Sequence, residues 1–353
     1  MNNPATESTI HTIGLDIAKN SFSLHGFDEV GNTVLAKDLR RGQVLSFFEK
    51  LKPCRVGLEA CASAHHWARE LIKLGHDVKL IPAQRVKAFL PRMKNDAQDA
   101  KAIARALRDA EMRFVGVKSV DQQASLMLFK ARDLLIAQRT QVINALRGHF
   151  AEIGIVVSQG AHEVKLLVDL VLHDDETQKL PPVMRHALKA LVATLANVED
   201  EIKVLNVAIA QQHKASKPSQ RLATVPGIGI LTASLLVATV SEPEQFAGGR
   251  EFAAWIGLVP RQHSTGGKAS LGKISKMGNR DLRRLLVVGA HAVLYRIKSG
   301  KTQSPLADWA RRLLAKKPFK LVAVALANKM ARIAWAIMVK EDCYNPSHAT
   351  ATN

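Results

Sequence analysis

The sequence predicts an α/β domain at the amino end, followed by two largely helical regions. Short apolar strands alternate with helices over residues 10–108, long amphipathic helices follow, and the last third combines helices with glycine-rich turns. The chain has 353 residues and 47% hydrophobic content. It therefore has room for two or three packed domains, at the usual size of roughly 100–200 residues per domain.

The first three predicted strands form a meander. Ile10–Asp16 and Ser21–Phe27 are apolar β-type runs, the pair Gly31-Asn32 supplies a turn, and Thr33–Asp38 is the third strand. Helices and strands then alternate, at Val44–Leu51, Arg55–Glu59, Ala64–Leu74, Asp77–Ile81 and Asp96–Arg108. This order is typical of an RNase H-like, RuvC-like fold, whereas a Rossmann sheet begins β-α-β.

Two long stretches with helical periodicity follow this domain. They cover Gln122–Phe150 and Val183–His213, and a looser segment, Ser158–Pro182, joins them. The pattern fits an antiparallel helical arm or a dimerising coiled coil, and it fits plain bundle packing equally well.

The third region is mostly helical. It begins near Ser216 and contains a glycine-rich polar loop, His263–Gly278. Its predicted helices are Leu231–Val240, Glu251–Ile256, Asp281–Tyr295 and Leu321–Val339. We therefore expect domains at 1–115, 116–215 and 216–345, with a disordered tail at 346–353.

The charge points to a polyanion as partner. The formal net charge is +19, and residues 261–340 hold eighteen Lys and Arg against two acids. Aromatic residues are interleaved with this basic block, which favours nucleic acid. No signal-peptide pattern or unbroken spanning-length apolar run occurs, so we expect a cytoplasmic protein with no membrane partner. Candidate nucleic-acid contacts in the block include Lys273, Lys276, Arg280, Arg283 and Arg284.

Four carboxylates form the main candidate site. Asp16 and Glu59 end apolar strands, and Asp96 and Asp99 are three residues apart at a predicted helix start, so the latter two share a face. Converging carboxylates repel one another unless a cation lies between them, and Mg²⁺ is the hard, oxygen-seeking ion that suits them, with Mn²⁺ as its substitute. Such ions can stabilise the attacking and leaving oxygens of a phosphodiester displacement.

An actin-like ATPase or kinase is the alternative from another class. That fold begins with the same meander and with an acidic residue after its first strand. It needs further glycine-rich phosphate loops, and the sequence has neither G-x-x-x-x-G-K-[ST] nor G-x-G-x-x-G.

Two turns in the last third are candidate phosphate sites. The run Val225-Pro226-Gly227-Ile228-Gly229 before a helix resembles the hairpin of a helix-hairpin-helix element, in which Gly227 and Gly229 let amides approach a phosphate. A simple Pro-Gly turn is the alternative.

The other turn runs from Pro260 to Lys268 and contains a hydroxyl beside two glycines. Arg261, His263, Lys268 and Lys273 surround Ser264. Cations of this kind stabilise a developing phosphorane, so the loop is either a site for a serine nucleophile or a basic phosphate-binding loop.

These motifs together resemble a known family. The runs Gly14–Lys19, Leu58–Ala60, Lys94–Ala100, Val225–Gly229 and Pro260–Lys268, continued by Ile274–Asn279 and Leu282-Arg283, occur in order from about residue 10 to 340. The chain resembles the DEDD transposases related to the Piv DNA invertase, the insertion-sequence family numbered 110, and especially its 1111 subgroup.

The resemblance implies a RuvC-like domain, a coiled-coil arm and a C-terminal transposase domain. It implies that Asp16, Glu59, Asp96 and Asp99 bind Mg²⁺, and that a serine forms a covalent phosphoserine link to DNA. Ser264 is the match, although relatives have a Ser-Gly step where this chain has Ser264-Thr265-Gly266, so the hydroxyl of Thr265 is a second candidate.

The resemblance also implies partners. They are donor and target DNA, a structured non-coding guide RNA whose loops pair with both, and further copies of the chain in a dimer or tetramer. RNA guidance leaves the protein to hold backbone and shape. A RuvC-like junction nuclease that cuts with water and forms no covalent intermediate is the alternative among nucleic-acid enzymes.

Overall fold

The computed structural model describes residues 10–90, 96–160, 162–173, 179–263 and 270–346, without the side chains of Asp96 and His162. The chain forms two compact units, Met1–Asp121 and Gln122–Asn353. Of the tail expected at 346–353, all but Pro346 lies outside the described residues.

A five-stranded mixed sheet forms the centre of the first unit. Its strands are β1 (Thr12–Ile17), β2 (Ser21–Phe27), β3 (Thr33–Arg40), β4 (Arg55–Glu59) and β5 (Asp77–Ile81), in the order β3-β2-β1-β4-β5. β1 and β3 are antiparallel to β2, while β4 is parallel to both β1 and β5. The predicted meander is thereby confirmed, and the order is compatible with an RNase H-like sheet.

Helices cover both faces of this sheet. They are α1 (Val44–Phe48), α2 (Ala64–Lys73), α3 (Ala83–Val86), which runs into a 3₁₀ turn at Lys87–Phe89, and α4 (Asp96–Leu107). On one face, Ile13 and Leu15 of β1 pack with Trp67 and Leu71 of α2. On the other face, α4 packs against β1, β2 and β4. Alternate residues of β1 therefore face different layers, as the two-residue period of a strand requires.

Contact between β1 and α4 is close because residue 14 has no side chain. A Cβ atom built on Gly14 would lie 2.1 Å from the carbonyl oxygen of Ala100 and 2.5 Å from the backbone nitrogen of Ala104. The neighbouring strand repeats the feature, since a Cβ on Gly57 would lie 3.2 Å from Cγ2 of Ile103. Backbone atoms of the sheet and the helix thus meet directly, as only glycine allows.

The second unit is built mainly of helices. They are α5 (Val120–Glu152), which starts at the unit boundary, α6 (His162–His173), α7 (Pro182–Ala215), α8 (Lys217–Ala223), α9 (Ile230–Thr239), α10 (Gly249–Ile256), α11 (Arg280–Lys298), α12 (Pro305–Leu314) and α13 (Phe319–Lys340). Two short strands, β6 (Pro260–Gln262) and β7 (Leu271–Ile274), pair antiparallel.

Two expectations for this region need correction. The segment Ser158–Pro182 is not simply loose, because α6 lies inside it, and the stretch His263–Gly278 is not entirely loop, because it contains β7. In α6, the buried residues Leu167 and Val171 pack with Leu146 of α5 and Leu188 of α7. Helix α6 was not predicted, because its apolar pattern covers only about three helical turns between the long helices α5 and α7.

The last helix, α13, lies at the centre of the C-terminal core. Leu326, Met330 and Ala334 are fully buried there, packed among residues of α9, α11 and α12. Judged by length and composition alone, α13 is long and apolar enough to cross a membrane, and among the described residues it is the one such helix. Half of its apolar window is buried inside the unit, as in the core helix of a folded domain.

We predict that Gly14→Ala destabilises the first unit, because the added methyl must displace the backbone of α4. The free energy of unfolding should fall by about 1–3 kcal/mol, the usual cost of overpacking a core. Denaturant unfolding measures it. Gly42→Ala is the matched control, since a Cβ on Gly42 meets nothing within 4 Å. Equal stability of the two variants would contradict the close contact.

Candidate functional site

Two of the four candidate carboxylates lie side by side at one edge of the sheet. β1 and β4 are parallel neighbours, with Leu15 opposite Leu58. Asp16 and Glu59 are the next residues in each strand, and neighbouring strands lie about 4.8 Å apart. Both are partly exposed. Because side chains alternate along a strand, they share the face of Gly14 and Gly57, which is the face that α4 covers.

The direction of α4 brings its first turn to this same edge. At the far end of the helix, Arg108 donates to the carbonyl oxygen of Glu29 at 3.2 Å, just past the end of β2. That end of β2 pairs with the start of β1, where Thr12 lies opposite Phe27. Helix α4 is therefore antiparallel to β1, and its N-terminal turn, with Asp96 and Asp99, points toward the end of β1 that carries Asp16.

Asp99 carries an unusual oxygen. Its Oδ1 atom is buried and has no hydrogen-bond partner among the residues that the structure describes. A buried carboxylate oxygen without a partner costs free energy that a cation or a donor would offset. The side chain of Asp96, one turn earlier, lies outside the described atoms. Among the side chains that are described, no three His, Cys, Asp or Glu groups converge closely enough to hold a metal ion.

The pKa of Cys61 depends on both strand-end carboxylates. Burial of the sulfur is the largest cause that raises the pKa of Cys61, and the negative charges of Glu59 and then Asp16 raise it further. One thiol therefore senses both carboxylates, as expected if they belong to a single concentration of negative charge.

This donor set suits a hard divalent ion. Carboxylate oxygens are the ligands Mg²⁺ prefers, usually from one or two protein groups with water and phosphate completing the octahedron. Within the described residues, Oδ1 of Asp99 has no hydrogen-bond partner, so this oxygen is of the kind that such an ion binds. Two glycines that set the sheet-to-helix distance, Gly14 and Gly57, were not predicted. Their signal was available, because each precedes a candidate carboxylate by two residues.

The candidate serine lies between β6 and β7 in the sequence. The amide of His263 donates to the carbonyl oxygen of Ser270 at 2.9 Å, which closes the last pair before the turn. The connecting residues 264–269, which include Ser264, Thr265 and Lys268, lie outside the described residues. The described residues on either side of this segment, His263 and Ser270, are both exposed.

Close backbone contacts hold the base of the β6–β7 hairpin against helix α10. Gly278 adopts a φ of 83°, and a Cβ there would lie 1.7 Å from the carbonyl oxygen of Trp255. Arg283 strengthens the same joint, since its Nη1 donates to the carbonyl oxygens of Ile256 at 2.7 Å and Met277 at 3.2 Å. These bonds engage one nitrogen of a side chain that was predicted to contact nucleic acid.

The other predicted basic contacts fall into two groups. Lys273, Lys276 and Arg280 are exposed along or just after the hairpin, where Arg261 and His263 are exposed as well. Arg284, by contrast, makes an ion pair with Asp133 of helix α5, at 2.7 Å from Nη2 to Oδ1. The exposed group thus presents positive charge beside the turn that carries Ser264.

The Val225–Gly229 turn joins α8 to α9, and its two glycines differ. Gly227 is packed from all sides, since a Cβ there would lie 2.8 Å from Cε of Met330 and 3.0 Å from the carbonyl oxygen of Gly289. Gly229 precedes α9 and meets nothing within 4 Å. Helix packing accounts for the first glycine, and space for an approaching phosphate remains only at the second.

Comparison with known proteins identifies what the chain is similar to. Residues 13–155 match the family model of DEDD transposases of the IS110 type, and residues 219–305 match that of the transposase IS116/IS110/IS902 family. The chain is 39% identical to the transposase for insertion sequence element IS1111A of Coxiella burnetii, over 95% of this chain and 91% of that protein.

Two further relatives cover similar shares. A protein of Pseudomonas aeruginosa named probable family 20 transposase is 43% identical over 95% of this chain and 98% of its own length. The transposase for insertion sequence element IS1328 of Yersinia enterocolitica is 39% identical over 92% of this chain and 96% of its own.

Gly278→Ala should loosen the hairpin base, because the methyl collides with the Trp255 carbonyl and the left-handed backbone disfavours any side chain. We expect the second unit to lose about 1–3 kcal/mol of stability, measured by denaturant unfolding. Gly272→Ala in β7 is the control, since its Cβ would meet ordinary contacts no nearer than 3.6 Å. If Gly278→Ala left the free energy of unfolding unchanged, the backbone contact between Gly278 and Trp255 would not be needed for stability.

Proposed function

The chain belongs to the IS110 family of transposases and is a DNA transposase. We propose that it cuts and rejoins DNA through a phosphoserine intermediate at a Mg²⁺-assisted site. Asp16, Glu59, Asp96 and Asp99 would hold the ion, and Ser264 would supply the nucleophile. The observation that best supports the metal site is the buried Oδ1 of Asp99, which has no hydrogen-bond partner among the described residues.

In the proposed first step, Oγ of Ser264 forms a bond to the phosphorus of a DNA phosphodiester. The bond from phosphorus to one bridging oxygen breaks, and that oxygen leaves as a DNA hydroxyl after it takes up a proton. The hydroxyl proton of Ser264 passes to a base or to water. One phosphoester bond replaces another, so the cut costs little free energy and needs no nucleotide cofactor.

In the second step a hydroxyl of another DNA strand attacks the phosphoserine. A new DNA phosphodiester forms, the bond to Ser264 breaks, and the serine regains its proton. The positive charges of Arg261, His263, Lys268 and Lys273 would stabilise the extra negative charge of each pentacoordinate phosphorus. Mg²⁺, when bound by the carboxylates, would supply further positive charge at the non-bridging oxygens.

Two alternative mechanisms make different products. A RuvC-like nuclease would use water in place of Ser264 and leave free DNA ends with no protein attached. An actin-like ATPase would turn over ATP with Asp16 and would not need DNA. Membership of a transposase family favours the two DNA mechanisms, and the basic residues that flank Ser264 in the sequence favour the covalent one over water.

We predict a covalent adduct between the protein and a nicked DNA substrate carrying the element's ends in the presence of Mg²⁺. Denaturing gel electrophoresis of labelled DNA measures it. Ser264→Ala should abolish the adduct, while Ser270→Ala, the serine at the other end of the same turn, should retain it. Loss of the adduct in Thr265→Ala but not in Ser264→Ala would move the nucleophile to Thr265, and free ends without any adduct would support the junction nuclease.

The same experiment tests the carboxylates. Asp99→Asn keeps the size of the side chain but removes its charge, so the adduct should fall at least tenfold, as should the wild-type adduct in the presence of EDTA. Glu29→Gln, at an exposed acid in the β2–β3 turn, is the matched control and should leave the adduct unchanged. An adduct that forms equally well in EDTA would contradict the metal site.

Guide RNA and self-assembly complete the proposal. The excess of basic residues in the last third supports a partner with many phosphates beyond the DNA itself. RNA pairing with donor and target would choose the sites, and a dimer or tetramer would let the carboxylates of one chain act with the Ser264 of another.

We expect a discrete RNA, encoded beside the transposase gene, to copurify with the protein and to determine which DNA is cut. Sequencing of the bound RNA identifies it. Replacing the RNA segment that pairs with the target should redirect the adduct to the matching new site, with the protein unchanged. Cleavage that ignores the replaced segment would contradict guidance by RNA.

A further inference from the structure

The first unit contains a basic cavity that the proposed chemistry does not use. It has a volume of about 290 Å³ and lies between α4 and the β2–β3 hairpin. Its lining consists of three cations and three uncharged residues, namely Phe27, Gly31, Thr33, Lys101, Arg105 and Arg108. No acid lines it, so its electrostatic field attracts anions.

The three cations share one face of α4. Lys101, Arg105 and Arg108 are spaced i, i+4 and i+7, which aligns them along a helix. Asp99 lies about 160° around the helix axis from Lys101, at 100° per residue, and Arg105 lies roughly 9 Å along the axis from Asp99. The basic cavity and the carboxylate site therefore occupy different flanks of the same helix.

Two of the cations have no carboxylate partner within the part of the chain that the structure describes. No ion pair joins Lys101 or Arg105 to an acid there. Asp28, an acid of the same hairpin, is occupied, because its Oδ1 accepts from the amides of Gly31 at 2.7 Å and Asn32 at 2.8 Å. Those backbone bonds also contribute to the lowered pKa of Asp28, after the side chain of Asn32.

The third cation, Arg108, is engaged in contacts that shape the cavity. Arg108 donates to the carbonyl oxygen of Glu29 at 3.2 Å and lies 5.9 Å from the centre of the Phe27 ring. It thereby holds the β2–β3 turn against the end of α4. Lys101 and Arg105 remain the groups that can turn toward a ligand.

A buried histidine behind the cavity senses the same field. His25 of β2 lies 3.2 Å from the hydroxyl of Thr33, and burial, followed by the charges of Lys101 and Arg105, lowers the pKa of His25. The positive field of Lys101 and Arg105 therefore reaches His25 behind the cavity as well.

We propose that this cavity is a second nucleic-acid site, in which Lys101 and Arg105 grip backbone phosphates of a segment outside the cleavage site. The ligand chemistry is a phosphodiester. Both cations have the reach and the hydrogen-bond donors to contact phosphate oxygens, and an open cavity admits a strand. The cavity would hold a length of nucleic acid beside α4 while the carboxylates act at the other flank of the helix.

The test compares the double variant Lys101→Gln/Arg105→Gln with Lys50→Gln/Lys52→Gln. The control also removes two positive charges. They belong to exposed residues after α1 that do not line the cavity. A mixed-sequence DNA duplex and an RNA hairpin of the same stem sequence are the probes, and fluorescence anisotropy in EDTA across a salt series measures binding without cleavage.

The slope of log K against log salt should become less steep by about 2 in the cavity variant, at nearly one unit per lost phosphate contact. The control slope should stay at the wild-type value. A reduced slope with DNA alone, RNA alone or both supports the site and identifies which nucleic acid occupies it.

A cavity variant that matches its control with both probes would overturn the proposal. The charge-conserving swap Lys101→Arg/Arg105→Lys should keep the wild-type slope, and an unchanged unfolding midpoint shows that the variants fold. The adduct assay is independent of this result, because the binding assay contains no metal ion.

Discussion

Backbone-to-backbone contact between β1 and α4 is the constraint on which the first unit depends. With no side chain at Gly14, the helix lies against the strand at a distance that any Cβ would prevent. The contact sets how far the N-terminal turn of α4 stands from the strand ends at Asp16 and Glu59. A carboxylate site assembled from strand, strand and helix needs that distance to be short and constant, because metal ligands tolerate little displacement.

The same helix has two chemically opposite flanks. Within the described part of the chain, one flank carries Asp99, with an oxygen that has no hydrogen-bond partner, and the other carries Lys101 and Arg105, which have no carboxylate partner. A buried carboxylate oxygen without a partner costs stability, and cations without a carboxylate partner leave a positive field, until ligands of opposite sign bind there. A protein that handles both a divalent cation and a polyanion has reason to carry that cost, because the fields are then already arranged for its ligands.

The second unit shows another use of glycine. Gly257, Gly278 and Gly227 occupy left-handed backbone positions where a side chain would collide with a neighbouring segment. The first two fasten the β6–β7 hairpin to α10, and Gly227 lets α11 and α13 close around the turn before α9. His263 and Ser270, the last described residues on either side of residues 264–269, are both exposed beyond this anchored base.

The sequence by itself determined the strand meander, the long helices, the family and the candidate carboxylates, because each depends on local periodicity or on residues in a fixed order along the chain. It could not determine which elements touch. Only the tertiary structure decided that α4 runs antiparallel to β1, that Gly14 sets their separation, that Arg284 pairs with Asp133, and that a basic cavity faces away from Asp99. These facts depend on packing between residues far apart in sequence, whose directions no local pattern contains. The short elements α6 and β7 escaped prediction for the same reason, since neighbours rather than periodicity stabilise segments of so few turns or residue pairs.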